Sequence, residues 1–482
     1  MMSHSARPRR YAIVATIVSM IFLLFPFIGV AAEEKGKVYE IATDATYPPF
    51  EYEDGEGNYV GIDLDLIKAI AEDQGFEYNL TSMDFTAGLQ ALESAQIDVL
   101  VAAMTITEER SKAFDFSDPY YEAGPVLAVA EDNEDITSYE DLDGKTLAVR
   151  IGTTGDEMAQ ELAKKYNITI NHFEDSSAMF SDVEAGHSDA CIDDNPIMAY
   201  SIQQGLKLKM PLEPEYGDEY GFAVPKDRNG ELLDMLNAGL KNIQESGEYD
   251  EILDKYLADD ADELDQSTFL SLLKANLPDL MAGLGRTLAL TVISFLIALF
   301  FGMILGLFSA TPNRFLNLIA NLYVTVMRGV PLIVLAFFMY FSLPQFTGVK
   351  IAAFTAGIIT LSLNTTAYIA EQVRGGINAV SVGQLEAARS LGLPYGVSMR
   401  KVVLPQAIKI MVPSLINQFV ITLKDTSVLS IIGILELTQT GRIIIARTYA
   451  SGLMWIIVGA IYLIIITLLT QLSNILERRI TY

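Results

Sequence analysis

Residues 61–71 read Gly61-Ile62-Asp63-Leu64-Asp65-Leu66-Ile67-Lys68-Ala69-Ile70-Ala71, and their apolar positions recur at helical spacing. They predict a helix over residues 64–74, which follows a β-like run at residues 38–43. The alternation continues along the chain, with strands predicted at residues 99–103 and 147–150 and a helix at 156–166. Such alternation is typical of βαβ units, so residues 37–257 are predicted to form an α/β fold.

Charge is segregated along the 482 residues. Residues 33–268 contain 55 acidic and 15 basic side chains, whereas the remainder contains 6 acidic and 18 basic ones. The first segment is therefore predicted to be an acidic body that faces water, and it should repel nucleic acid and anionic lipid headgroups. No nucleic-acid partner is expected. The single cysteine, Cys191, excludes an intrachain disulfide, and the three histidines lack metal-ligand spacing, so no metal site is expected.

The N-terminus, residues 1–32, combines three arginines, an apolar run over residues 11–30 and small residues at positions 30–32. This pattern predicts a secretory signal peptide. Because the apolar run is twenty residues long, an uncleaved membrane anchor is the alternative. Both alternatives are open, and both deliver the following domain, residues 33–258, outside the cytoplasm.

The C-terminal part is predicted to be an all-α membrane domain. A charged stretch begins a linker and interfacial helix over residues 259–285, and the domain itself covers residues 286–482. Its five apolar runs each fit a spanning helix of about twenty residues. They cover residues 287–308, 315–343, 351–370, 402–423 and 453–476. Basic residues are more frequent in the segments that this order places inside the cell, so a multi-pass protein of the plasma membrane is expected.

The motif at residues 61–71 resembles the signature of the polar-amino-acid-binding proteins that serve ABC importers. The resemblance extends through residues 42–50, 105–110 and 114–120, and it covers nearly all of residues 38–257. It implies a periplasmic-binding-protein-like fold of two α/β lobes that close on a ligand in the cleft between them. The two strands that cross between the lobes are expected near residues 122–126 and 220–224.

A free amino acid presents a carboxylate, which favours a guanidinium, and an ammonium, which favours a carboxylate. The spacing Thr105-x-x-Glu108 predicts a helix start from which Arg110 projects. The resemblance implies that Arg110 binds the α-carboxylate and that Asp194, on the other lobe, binds the α-ammonium.

The resemblance implies roles for five further residues around the ligand. The carbonyl of Ala103 and the hydroxyl of Thr105 are expected to receive the ammonium, and Thr154 is expected to lie at the second-lobe site for the carboxylate. Tyr47 and Phe85 match the two aromatic residues that sandwich the ligand side chain in the resembled proteins.

Asp44 and Arg150 are expected to set specificity. Asp44 can accept hydrogen bonds from an amide or a cationic side chain, and Arg150 lies where glutamine binders of the resembled family carry a base. A buried base penalises lysine or arginine as the ligand. Glutamine suits the two residues best, because an amide both donates and accepts hydrogen bonds, and glutamate is second because Asp44 would repel it.

A second resemblance lies in the membrane part. Glu386-Ala387-Ala388, followed by Gly392, is similar to the cytoplasmic coupling loop of type I ABC importer permeases. The loop is expected to cover about residues 374–401. A short helix over residues 385–391, ending at Gly392, is expected to dock in a groove of a separate ATPase.

The chain is not expected to be an enzyme. Gly144-Lys145-Thr146 resembles the end of a P-loop, but Tyr139 stands where its first glycine belongs. ATP and Mg²⁺ are therefore expected only on the partner ATPase. Since the chain contains one coupling loop, a homodimer with two ATPase copies is expected, together with an amino-acid ligand and membrane lipid.

The alternative is an amino-acid-gated channel or receptor that uses the same binding fold. In such a channel the pore helices interrupt the two lobes. Here all predicted spans follow both lobes, and this order favours an importer.

Overall fold

The computed structural model describes residues 38–55, 57–215, 217–257 and 268–481; the predicted signal or anchor over residues 1–32 and the linker residues 259–267 lie outside the described residues. Residues 38–257 are called the N-terminal domain and residues 268–481 the membrane domain.

The strands are β1 Val38–Thr43, β2 Thr46–Tyr47, β3 Glu51–Glu53, β4 Tyr59–Val60, β5 Glu77–Ser82, β6 Val99–Val101, β7 Phe114–Phe116, β8 Tyr121–Ala123, β9 Pro125–Ala130, β10 Thr146–Arg150, β11 Thr169–Phe173, β12 Ala190–Asp194, β13 Leu208–Lys209, β14 Asp218–Tyr220 and β15 Ala223–Pro225.

Helices alternate with these strands, as the sequence predicts. Those of the N-terminal domain are α1 Ile62–Gln74, α2 Phe85–Glu93, α3 Arg110–Ala113, α4 Thr154–Ala163, α5 Ser176–Glu184, α6 Asn195–Gln203, α7 Gly230–Ser246 and α8 Glu248–Leu257.

The strands form two five-stranded sheets, one in each lobe. Lobe 1 has the order β5-β1-β6-β15-β7, and lobe 2 has the order β11-β10-β12-β9-β13. In both sheets the strands linked through helices are parallel, whereas β15 and β9, which follow a crossing between lobes, are antiparallel to their neighbours. The crossing strands are β8 and β14, which pair with each other. The two-lobed α/β fold is confirmed, with each crossing a few residues earlier than predicted.

Helix α1 anchors lobe 1. Its apolar side chains Ile62, Leu66 and Ile67 are fully buried against the sheet. The chain enters the helix at Gly61, whose φ of 132° is a backbone conformation that only glycine adopts readily. A Cβ at this position would lie 2.2 Å from the carbonyl oxygen of Phe50. The motif is therefore fixed by a close backbone approach as well as by its apolar face.

Among its described residues, every secondary-structure element of the membrane domain is a helix. Its helices are α9 Phe269–Ser309, α10 Arg314–Gly329, α11 Leu332–Phe337, α12 Leu343–Thr347, α13 Ala353–Ala379, α14 Val382–Ser390, α15 Tyr395–Ser398, α16 Leu404–Asp425, α17 Leu437–Thr448 and α18 Ser451–Thr481, with π-helical turns at Phe338–Ser342 and Met399–Val403 and a 3₁₀ helix at Thr426–Ile432.

Four helical segments are long and apolar enough to cross a membrane, and a fifth span is obtained if one bent pair counts as a single crossing. The bent pair corrects the predicted continuous run over residues 315–343. It consists of Arg314–Gly329 and Leu332–Thr347, which meet at 103°. The cause is Pro331, which holds the preceding Val330 in an extended conformation and cannot continue a helix.

The predicted interfacial helix is not a separate element where it is described. Residues 269–285 belong to α9, which continues without interruption to Ser309. A capping box between Thr268 and Ser271 begins this helix, and the helix continues through Pro278.

We expect Gly61→Ala to destabilise the N-terminal domain by more than about 3 kcal/mol, because backbone strain and a steric clash add. Gly75→Ala is the matched control: Gly75 has a φ of 71°, but a Cβ there would meet nothing within 4 Å. It should cost about 1 kcal/mol from strain alone. Scanning calorimetry of the purified chain measures both. Equal losses in the two variants would contradict the close-approach argument.

Candidate functional site

The cleft between the lobes brings the predicted ligand-binding residues together. Eight of the nine predicted residues line it, and the ninth, Asp44, lies behind Arg150 and contacts it. The lining residues are Tyr47, Phe85, Ala102, Ala103, Thr105, Arg110, Arg150, Thr153, Thr154 and Asp194.

Arg110 reaches across the cleft from lobe 1. Its Nη1 donates to the carbonyl of Thr105 at 2.8 Å, and its Nη2 donates to the carbonyl of Gly152, on lobe 2, at 2.9 Å. Gly152 immediately precedes the N-terminus of α4, where Thr154 is the first helical residue. A guanidinium beside a helix N-terminus forms an environment that favours an anion.

The predicted helix start at Thr105 is wrong. Thr105 pairs with Tyr220 in an isolated β-bridge, and the hydroxyl of Thr107 accepts the backbone N–H of Arg110. Helix α3 begins only at Arg110. Thr105 pairs with a strand that is distant in sequence, and this pairing replaces the helix start that the local capping pattern predicts.

The opposite wall contains two adjacent carboxylates at the end of β12, and both bind tyrosine hydroxyls. Tyr47 donates to Asp193 at 2.7 Å and to Asp194 at 3.3 Å, and Tyr220 also donates to Asp194. Burial raises the pKa of Asp194 to about 7, and the charge of Asp193 adds to the increase. Burial likewise raises the pKa of Asp193. This wall favours a cation.

Arg150 links the two lobes. It forms a buried ion pair with Asp44 of lobe 1, and its Nε donates to the carbonyl of Glu174 at 3.3 Å. Its guanidinium also lies 5.1 Å from the ring centroid of Tyr47 and 5.4 Å from that of Phe85. The two rings predicted to sandwich a ligand side chain therefore contact this arginine.

Ala103 is positioned by the motif at residues 61–71. Its φ of 41° is uncommon for a residue other than glycine. Its N–H donates at 2.8 Å to the buried carboxylate of Asp63, which also accepts the hydroxyl of Tyr120 at 2.7 Å. Burial raises the pKa of Asp63 to about 7. Asp63 therefore orients the backbone at the floor of the cleft.

The predicted coupling residues lie far from the cleft. Glu386, Ala387 and Ala388 are in α14, and Gly392 follows the helix with a φ of 83°. Glu386 and Ala387 are exposed, and Ala388 is buried. Because α9 has 41 residues, it is about 60 Å long. The N-terminal domain contacts one end of the membrane domain, and α14 lies at the other.

Sequence reasoning missed Asp63, Asp193, Tyr220 and Thr153. The first two carried a signal: Asp63 interrupts an apolar helical face, and Asp193 directly follows the apolar run at residues 190–192. Thr153 also carried one, because it is adjacent to the predicted Thr154 in the turn before a helix. Tyr220 carried none, because its hydrogen bond to Asp194 joins segments that are separate in sequence.

A two-lobed α/β cleft domain followed by several apolar spans defines a solute-binding domain fused to a membrane transport domain. Two family matches agree with this class. Bacterial extracellular solute-binding proteins, family 3, match residues 39–259, and the binding-protein-dependent transport system inner membrane component matches residues 298–482.

Individual relatives match one half of the chain each. The chain is 37% identical over 193 residues to a putative glutamine transport system permease protein of Rickettsia felis, covering 40% of this chain and 88% of that protein. It is 37% identical over 204 residues to an arginine transport system permease protein of Bacillus subtilis, covering 42% and 93%. It is 33% identical over 228 residues to an arginine-binding extracellular protein of Bacillus subtilis, covering 47% and 89%.

The chain belongs to the family of binding-protein-dependent transport system inner membrane components, and it carries a family 3 solute-binding domain in the same polypeptide. It is a component of an amino-acid ABC importer. The predicted multi-pass membrane location, with the N-terminal domain outside the cytoplasm, is confirmed.

We expect amino-acid binding to weaken at acidic pH. A ligand ammonium at Asp194 requires the charged carboxylate, and its raised pKa of about 7 means that it takes up a proton as the pH falls below 7. Affinity should then fall about tenfold per pH unit below 7, and binding should release a proton. Calorimetry of the full chain between pH 5 and 8, in buffers of different ionisation enthalpy, measures both quantities.

The control for this prediction is Asp63→Asn, because the carboxyl group of Asp63 also has a pKa raised to about 7. The amide can still accept the N–H of Ala103, so this variant should keep the pH dependence. A flat affinity in the unmodified chain, or loss of the slope in Asp63→Asn, would contradict the role of Asp194.

Proposed function

We propose that the chain binds a free polar amino acid, glutamine in preference to glutamate, in the cleft of its N-terminal domain and passes it through its own membrane domain. The observation that carries the proposal is the opposition of Arg110, beside the N-terminus of α4, to Asp194 on the other wall. One wall favours an anion and the other a cation, as the two charged groups of an α-amino acid require.

The remaining charges favour an uncharged side chain. If Arg110 binds the carboxylate and Asp194 the ammonium, Arg150 is the charged group left in the cleft lining, with Asp44 and Asp193 close to it. Arg150 is already paired with Asp44, and Asp193 makes the set negative by one charge. A glutamate side chain is repelled by that excess. A lysine or arginine side chain would have to share the two aromatic rings with the guanidinium of Arg150. An amide avoids both costs.

The choice between glutamine and arginine as the ligand needs a direct test, because the names of the relatives include both glutamine and arginine transport. Calorimetry of the full chain with all twenty amino acids should show the tightest binding with glutamine. Arg110→Ala should nearly abolish binding, since loss of one partner of a desolvated charge pair costs roughly 2–5 kcal/mol. Arg150→Ala should weaken glutamine only modestly and relax discrimination against lysine and arginine.

Circular dichroism would establish that each of these variants is folded. Preference of the unmodified chain for arginine over glutamine would overturn the role of Arg150 and leave amino-acid binding intact. Unchanged affinity in Arg110→Ala would overturn the carboxylate assignment.

Transport requires an energy source, and we assign this role to a separate cytoplasmic ATPase that docks on α14. Apolar side chains at the two ends of this helix face outward: Val382, its first residue, is 68% exposed, and Leu391, which follows it, is 82% exposed. Such side chains are available to pack against a partner protein. Since the residues that the structure describes contain one such element, two copies of the chain and two ATPase subunits would form the complete importer.

Gly392→Pro should abolish transport and ligand-stimulated ATP hydrolysis while leaving amino-acid binding unchanged. Proline requires a φ near −65°, whereas Gly392 has 83°, so the turn after α14 must rearrange. Gly396→Ala is the matched control, because a Cβ there meets nothing within 4 Å. Flux into proteoliposomes that contain the co-expressed ATPase measures the effect. Normal transport by Gly392→Pro would contradict the coupling role, and native mass spectrometry showing one chain per complex would contradict the homodimer.

A further inference from the structure

Helix α17 of the membrane domain contacts both lobes of the N-terminal domain through Arg442. The Nη1 of Arg442 lies 3.1 Å from the carboxylate of Asp84, on lobe 1, and its Nη2 lies 3.2 Å from that of Asp175, on lobe 2. The arginine side chain is 11% exposed. The carboxylate of Glu174, also on lobe 2, lies 3.8 Å from the same Nη2. One guanidinium therefore binds carboxylates from both lobes in a nearly desolvated position.

Tyr449, which follows α17, adds a second contact to lobe 2, because its hydroxyl lies 2.9 Å from that of Ser201. Several other contacts hold lobe 1. Lys350 pairs with Asp98 at 3.6 Å, and Arg447 pairs with Glu53 at 3.2 Å. Gly433 lies so close to lobe 1 that a Cβ on it would be 2.7 Å from the carbonyl oxygen of Ser82. Lobe 1 is thus fixed to the membrane domain by several contacts that do not depend on the position of lobe 2.

Both partners of Arg442 are adjacent to the cleft. Asp84 immediately precedes Phe85, whose backbone N–H donates to Asp44. Asp175 immediately follows Glu174, whose carbonyl accepts Arg150. Asp44 and Arg150 form the ion pair across the cleft. The distance between Asp84 and Asp175 therefore depends on the same closure that brings Asp44 and Arg150 together.

We propose that Arg442 is a positioning residue through which the membrane domain recognises, and stabilises, the closed form of its own N-terminal domain. With lobe 1 fixed, opening of the cleft moves Glu174 and Asp175 away, and the guanidinium loses its partners on lobe 2. A contact made fully only in the closed form shifts the equilibrium toward that form. By linkage, Arg442 then raises the affinity for an amino acid that it does not touch.

The test measures glutamine affinity of the full chain in lipid nanodiscs, so it rests on the proposed function. Arg442→Gln should weaken binding about tenfold or more, within the usual range of coupling between sites. Arg442→Lys should weaken it similarly, because a single ammonium cannot replace the two donor nitrogens that reach the two carboxylates. Lys350→Gln is the matched control: it removes an ion pair to lobe 1 alone and should leave the affinity unchanged.

Asp175→Asn tests the same contact from the lobe 2 partner of Arg442. The amide oxygen can still cap α5 by accepting the N–H of Ala178, so the helix is kept while the charge is removed. It should lower the affinity as Arg442→Gln does, and the double variant should bind no more weakly than Arg442→Gln alone.

Unchanged affinity in Arg442→Gln, a loss of equal size in Lys350→Gln, or fully additive losses in the double variant would each overturn the inference. An unmodified chain that binds none of the twenty amino acids would instead contradict the proposed function, and this inference with it.

Discussion

Asp44 of lobe 1 and Arg150 of lobe 2 form an ion pair in which each side chain is 4% exposed. Either charge alone would be costly to bury, so the pairing ties the burial of both to the meeting of the lobes. The same arginine lies over the rings of Tyr47 and Phe85. The aromatic wall of the cleft, its charge balance and the spacing of the lobes therefore depend on one contact.

The unequal distribution of charge in the sequence reappears as complementarity between the domains. The acidic N-terminal domain provides Asp84, Asp98 and Asp175 at the contact, and the membrane domain provides Lys350 and Arg442. Attraction between such groups is long-ranged compared with apolar contact, so it can hold a tethered domain over the outer face of the permease. The apolar residues Tyr340 and Phe341 add to the contact by packing in one cluster with Met83.

The proposed function requires that two distant ends of the membrane domain respond to each other. The cleft domain lies at the N-terminal end of α9, and α14 lies beyond its C-terminal end. Between them α9 packs tightly on α13, since a Cβ at Gly302 or Gly306 would lie less than 3 Å from atoms of α13. Close packing of this kind moves as a unit, which allows a change at one end to be transmitted to the other.

The sequence by itself determined the order of strands and helices, the separation of an acidic domain from an apolar one, and the residue types of the cleft. These features follow from local periodicity and from motifs that are contiguous in the chain. Only the tertiary structure decided that Asp44 and Arg150 pair with each other, that Tyr220 binds Asp194, and that Arg442 joins the two lobes. These partners are 26 to 358 residues apart, and the bend at Pro331 likewise became visible only in three dimensions. No local pattern encodes such contacts, because they form only after both lobes and the membrane domain have packed.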